Sequence, residues 1–286
     1  MTDKKLIDIN PIPESTRENL LNPASKSVGN ALGTVCDSLF NLILMPLRKY
    51  NVIKENDLND FKLKVESKSN EIPIENRDDS KIGLALKTIE DVRYQFDEEI
   101  MREMFANLLT ATLDNRVNND VIPIFSHLLA NMSPGEAKLL KTLKENDAVL
   151  PLVEVTVNNS KSSIENKLSK NRFNPNELMD MLGLDNLEIS IDSNIILMKD
   201  KFSSNEGHLI ESLEANGLIV ADRNVELEAD KHQKMYNLFE NSDYYTGFNK
   251  ELPMIIDDIE FSNLSLKKGR FRLSLLGFKL VKIILP

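Results

Sequence analysis

Apolar side chains recur along most of this chain at intervals of three and four, the spacing that puts them on one face of a helix. Val28 to Met45 is helical by this test: Val28, Leu32, Val35, Leu39 and Ile43 share a stripe, Asn30, Thr34, Asp37 and Asn41 form the opposite one, Ser27 stands where a cap would, and Pro46 ends the run. A second helix, rich in lysine and glutamate, is expected from about Asp57 to Ser67. After a connector, Glu71 to Ser80, the strongest pattern of the chain covers Lys81 to Leu113. It carries Ile82, Leu86, Ile89, Val92 and Phe96 on one stripe, continued by Ile100, Met104, Leu108 and Ala111. Asp97 before Glu98 and Glu99 reads as an N-cap with an acidic first turn, which divides the run into two helices near Phe96. A short helix is expected in Asp120 to Asn131. Ser133, Pro134 and Glu136 then spell a helix start, with serine capping, proline in the first turn and glutamate reaching back; this helix is expected to run to about Glu145.

The pattern changes at Val149. Val149 to Val157 is valine-rich and reads as a strand. The polar stretch Asn158 to Asn176 has little period, and a short helix is expected from Asn174 or Asn176 to just before Gly183. His208 to Asn216 is helical and stopped by Gly217, Leu218 to Val220 begins a strand, and a terminal helix follows a hairpin. The fold class this predicts is mainly α: an N-terminal helical bundle followed by an α+β winged-helix-like C-terminal module. The expected divisions are a flexible arm over 1–26, a helical domain over 27–146, an α/β connecting region over 147–204 and a winged-helix-like domain over 205–286.

Composition narrows the function classes. Acidic residues outnumber basic ones by 45 to 35, for a formal charge of −10, so nucleic acid is repelled on average and would need a local basic patch. A lone cysteine, Cys36, rules out an internal disulfide framework and fits a reducing compartment; on its helix it reads as a small core residue. Met1 to Asn10 has no apolar core of a signal peptide, and polar residues interrupt Val28 to Leu47 too often for a spanning helix. A cytoplasmic location is expected, with membrane association on activation.

No catalytic set emerges. His127, His208 and His232 lack a second ligand at metal-binding spacing, and no nucleophile elbow or phosphate-binding loop is present. Asp97, Glu98, Glu99 and Glu103 could be imagined as an acid–base or metal cluster, but helix geometry turns Asp97 and Glu98 away from the Glu99–Glu103 face, and Arg102 stands by to neutralise them. A cap and a solvated face is the expectation. No catalytic residue, metal or cofactor is assigned. Two surfaces remain. The stripe Val28, Leu32, Val35, Leu39 and Ile43 packs in the core or serves as an interface with a protein partner, a second copy or a membrane. Lys267, Lys268, Arg270 and Arg272 form a basic run that could touch phosphate, although Glu206, Glu211 and Glu214 lie on the helix that would enter the groove.

Ile89 to Asp114 resembles the core of the bacterial abortive-infection alpha family. The carrying residues are Glu98 and Glu99, then Met104, Phe105, Ala106, Leu108 and Leu109, then Asp114. Ile122-Pro123-x-Phe125 is similar to the family's His-Pro-x-Phe step, with Ile122 in place of histidine. Met132-Ser133-Pro134 and Ala137-Lys138-Leu139-Leu140 are similar to its next helix. Further on, Ile210 to Ile219 resembles a helix with a Leu-Gly-Leu-Ile ending, with Asn216 for leucine, and Leu273 to Phe278 resembles a closing Leu-Thr-x-x-Gly element, with Ser274 for threonine. The resemblance implies a role in defence against phage and no established reaction. The expected function is that of a non-enzymatic defence protein acting through helical contacts with a protein or a membrane; the alternative is a winged-helix DNA-binding regulator.

Overall fold

A computed structural model describes residues 55–78, 80–92, 95, 97–159, 187–199, 201–256 and 259–286. The helix expected over Val28 to Met45, its five interface residues, Cys36 and the helix expected before Gly183 lie outside the described residues. Two compact units form: one takes in the described residues up to Lys141 together with Lys279–Pro286, the other Thr142–Phe278.

In the first unit, α1 (Glu55–Asn70), α2 (Ile82–Val92), α3 (Glu99–Thr112) and α4 (Ile124–Ala130) are followed by the start of α5 (Pro134–Glu145). The centre is α3, against which α1, α2 and α4 all pack. Its Met101, Met104, Phe105, Ala106 and Leu109 are fully buried, meeting Phe61 and Val65 of α1, Ile89 of α2 and Phe125 of α4 in the same apolar interior. The helix is buried on most sides, polar Arg102, Asn107, Thr110 and Thr112 included, and only its first turn keeps exposed acids such as Glu99. The start of α5 is the expected reciprocal cap: Glu136 Oε2 accepts from the Ser133 amide at 2.6 Å, and Ser133 Oγ accepts from the Glu136 amide at 3.2 Å.

Asp97 does not cap α3. Glu98 occupies the cap position with no side-chain hydrogen bond, and the neighbouring acids are drawn instead to α1, Glu103 to Lys68 at 2.6 Å and Glu99 to Lys64 at 3.6 Å. Arg102 reaches across to acids of α1. It is buried and holds Asp60 at 2.6 Å and Asp57 at 3.2 Å, both on α1. Burial pushes the Asp60 carboxyl up, but hydrogen bonds from Lys64 and Arg102 outweigh it and hold the group below its ordinary range.

The second unit overturns the mainly α expectation, and with it the helical bundle joined to a winged-helix-like module. The chain is mixed α/β. Among the described residues the strands are β1 (Val149–Asn159), β2 (Glu188–Met198), β3 (Lys201–Ser203), β4 (Ile219–Asp222), β5 (Met254–Ile256) and β6 (Ile259–Leu273). They form one antiparallel sheet in the order β3-β2-β1-β6-β4, with β5 paired to β6. The expected strand from Val149 is β1. It pairs along its whole length with β6, so residues assigned to a connecting region and residues assigned to a separate module share one sheet.

Helices pack on the sheet: α6 (Gly207–Ala215) against β2 and β4, α7 (Asp230–Glu240) against β1 and β2, with the short α8 (Asp243–Gly247) beside α7. Val153, Val155, Ile195 and Leu197 of the sheet form a buried core with Tyr236 and Phe239 of α7. The Tyr236 hydroxyl, buried with its ring, donates to the Gly269 carbonyl at 2.5 Å. Gly217 ends α6 with φ +69°, as the helix-stop reading requires. Ser274 then caps α9 (Leu275–Ile284), its Oγ accepting from the Gly277 amide at 2.9 Å and donating to the Gly217 carbonyl at 2.5 Å. Gly277 lies against the Leu218 carbonyl so closely that any Cβ would collide with it. The Leu-Ser-x-x-Gly element is thus a cap and a close backbone crossing.

Gly277→Ala is therefore expected to destabilise the second unit by about 2 kcal/mol or more. Gly83→Ala, exposed on α2 with open space around it, is expected to stabilise by about 0.5–1 kcal/mol. Urea unfolding of the two variants against wild type reads both; a neutral Gly277→Ala would show that the backbone there yields.

Candidate functional site

The signature helix α3 leads into a cleft of about 240 Å³ in the first unit. One wall is the end of α3, with Asn107, Thr110 and Ala111. Another is the turn that follows it, with Asp114, Arg116 and Asp120. Lys68 comes from the end of α1, Ile72 from the turn after it, and Lys282 and Ile283 from α9.

Each element is fixed by hydrogen bonds that the sequence specifies. Thr112, at the end of α3, turns its hydroxyl back to the Leu109 carbonyl at 2.6 Å. Asp114 then folds the chain: its carbonyl accepts from the Asn118 amide at 2.8 Å, and its buried carboxylate takes the Arg116 amide at 3.0 Å and the guanidinium at 2.8 and 2.5 Å. The turn is tied to the connector after α1. The Asn115 amide donates to the Asn76 carbonyl at 2.9 Å, and Asn118 Nδ2 donates to Asp78 at 2.8 Å. From α3, Asn107 Nδ2 donates to the Ile284 carbonyl at 2.8 Å and so holds the end of α9. An otherwise unpaired terminal carbonyl of α9 thereby gains a buried donor.

Most of the charges that line the cleft, which also include Glu71, are held in ion pairs. Arg116 answers Asp114, Lys282 lies 3.2 Å from Asp120, and Lys68 is bound to Glu103. The Arg116 guanidinium beside Asp114 holds that carboxyl below the usual carboxylate range, against the effect of burial. Asp78 is lowered as well, chiefly by the Ser80 amide. A carboxylate held ionised in this way is a poor proton donor near neutral pH.

Lys267, Lys268, Arg270 and Arg272 all lie on β6, in the second unit, and strand alternation divides them between two faces. Lys267 contacts Glu188 at 2.6 Å and Glu154 at 3.9 Å, and Lys268 contacts Glu240 at 3.2 Å with its ammonium 5.9 Å from the centre of the Tyr236 ring. Arg270 and Arg272 share Asp222 at 3.1 and 3.9 Å. The run is therefore matched by acids from other strands and from α7. His127 and His208 are exposed; His232 is buried, and burial lowers its pKa. Among the described residues no three His, Cys, Asp or Glu side chains gather as a metal site, and no helix is long and apolar enough to cross a membrane.

The sequence reading passed over Asn107, which stands at the unspecified position inside Met104-Phe105-Ala106-x-Leu108-Leu109. The signal that marks it is an amide in the middle of an apolar run, where a buried polar group must have a partner.

The profile of the abortive infection alpha family matches residues 53–284, most of the chain. The chain belongs to the abortive infection alpha family. The segment that carries the family resemblance, Glu98 to Asp114, forms α3 and the turn beside the cleft, and membership ties the chain to abortive infection. None of the curated proteins matches it. Among solved structures, an uncharacterised protein from the hydrocarbon-degrading marine bacterium Alcanivorax borkumensis SK2 is similar at 18% identity, over 57% of this chain and 93% of that one. The TM-score is 0.28, too low to carry an argument about fold.

The lowered carboxyls give this family member a defined acid response. A carboxylate whose folded pKa is depressed adds stability that is fully present above its unfolded value, roughly 3.9 for aspartate, and is lost as pH falls through the folded value. Asp114→Asn is expected to weaken the fold at neutral pH, with the difference from wild type shrinking as the solution is acidified. Urea midpoints taken along an acid series read this. A difference that stays constant would remove Asp114 from the acid response.

Proposed function

We propose that this protein is a non-enzymatic antiphage protein that acts in abortive infection by contact, engaging a protein partner through the cleft at the end of α3. The carrying observation is that the segment bearing the family resemblance supplies a packed helix and a cleft whose charges are largely ion-paired. The ionisable groups placed there by α3 and its turn are spent on ion pairs: Asp114 is bound to Arg116 and Asp120 faces Lys282. Half-buried Ala111 and the buried Ile283 behind it, ringed by these pairs, make a surface suited to receiving an apolar group with polar flanks.

Phage plating on bacteria expressing the protein tests this. Wild type is expected to reduce plaque formation. Ala111→Arg, which fills the cleft from its wall, and Lys282→Glu, which reverses an exposed charge at its rim, are expected to restore plaques while leaving thermal melting close to wild type. Wild-type protein that neither protects nor harms its host would sink the reading, and cleft variants that protect as well as wild type would move the contact elsewhere.

A further inference from the structure

The second unit holds a polar pocket of about 260 Å³, lined by Glu154, Ser190, Ser193, Asn194, Glu211 and Arg223 among others. Its construction begins with a break in the sheet. Val153 of β1 pairs with Ile195 of β2, but Val155 pairs with Asp192, so Ser193 and Asn194 together stand opposite Glu154 alone. This is a β-bulge, a device that re-aims side chains. Asn194 takes φ +56° within it and is buried at 4% exposure.

Both ends of the Asn194 amide are used. Its Nδ2 donates to Glu211 at 3.1 Å, and its Oδ1 accepts from Arg223 Nε at 3.2 Å. Arg223 in turn donates to Glu214 at 2.9 Å, and Glu214 accepts from the Ala221 amide at 3.2 Å. The Arg223 backbone is seated against Gly269, where a Cβ would come within 2.8 Å. Asn194 thus orients one carboxylate and one guanidinium on the wall of a cavity.

The charges of that wall decide what it can take. Arg223 is neutralised by Glu214. Glu211 is oriented by a neutral amide, which does not cancel its charge. Glu154 has Lys267 at 3.9 Å, while Lys267 makes its short contact with Glu188 at 2.6 Å. Glu154 from β1 and Glu211 from α6 therefore leave the pocket net negative, beside two serine residues. The volume lies below the roughly 300–1,000 Å³ of pockets for drug-sized molecules. We propose that this pocket binds a small organic cation carrying a guanidinium or primary ammonium group, with Glu154 and Glu211 as its acceptors. Carboxylates pair with such donors in charge-assisted, often bidentate, hydrogen bonds. This site is separate from the α3 cleft and does not rest on the contact reading.

Calorimetric titration of the purified full-length chain with agmatine, which carries both head groups, tests the proposal. Wild type is expected to give saturable binding, and glutamate, as an anionic control, none. Glu154→Gln and Glu211→Gln are each expected to weaken agmatine binding by roughly tenfold or more, the scale of one charge-assisted hydrogen bond. Asn194→Gly keeps a residue at ease with positive φ while removing the amide that orients Glu211, so it is expected to lower the melting temperature without unfolding the chain and to bind more weakly. Glu66→Gln, on α1 and outside the pocket, is expected to bind as wild type does. Absence of saturable agmatine binding at millimolar concentration overturns the proposal. So does binding that is undiminished in both glutamine variants, or equal binding of glutamate.

Discussion

The antiparallel ladder between β1 and β6 is the constraint on which the second unit depends. It joins Val149 to Arg272 and Asn159 to Phe261, so more than a hundred residues must return before the sheet has its two central strands. The entropy of closing such a loop grows only slowly with its length, and the ladder repays it with continuous backbone pairing. Everything else in the unit is placed by this pair. Strand β2 adds to the free side of β1, β4 and β5 add to β6, and α7 covers Val153 and Val155. The cap on α9 follows directly, because Ser274 is the residue after β6 ends.

This also explains why most helices and the strands β1 and β4 were legible in the sequence and the rest of the sheet was not. A helix is specified within a few residues: the Ser133–Glu136 cap and the stop at Gly217 are local chemistry and stand where the sequence puts them. Strand β6 has no such local signature. Its centre is Lys267-Lys268-Gly269-Arg270, which breaks the apolar alternation of a half-buried strand. Those charges are tolerated there because Glu154, Glu188, Asp222 and Glu240 come from elsewhere in the chain to meet them. The information that makes β6 a strand is long-range, and a reading by period sees only a basic run. Strand β2 was hidden for a related reason: its bulge at Ser193–Asn194 shifts the alternation partway along.

The candidate cleft shows the same division. Family-like residues of α3, such as Met104, Phe105 and Leu109, are packing residues and could be read from their pattern. The polar residues that shape the cleft depend on partners distant in sequence, Asn107 on Ile284 and Asn118 on Asp78. Asp114 was legible as a motif position, but its role as the ion-paired corner of a turn needed Arg116 in place. Buried polar groups are costly unless satisfied, so each of these contacts marks a place where the fold is specified more narrowly than by apolar packing alone.

The electrostatics carry this one step further. The chain has formal charge −10, and many of the cations in the described structure are spent internally. Lys64, Lys68 and Arg102 join α1 to α3, Arg116 and Lys282 balance the cleft, and the four cations of β6 are matched across the sheet. Paired cations contribute little long-range field, whereas the surplus acids keep theirs. A molecule approaching this protein is therefore steered as if by an anion, and recognition at close range falls to shape, apolar contact and positive charge on the partner. The basic run of β6 is best understood within that field as a seam that lets the strands of an acid-rich sheet pair.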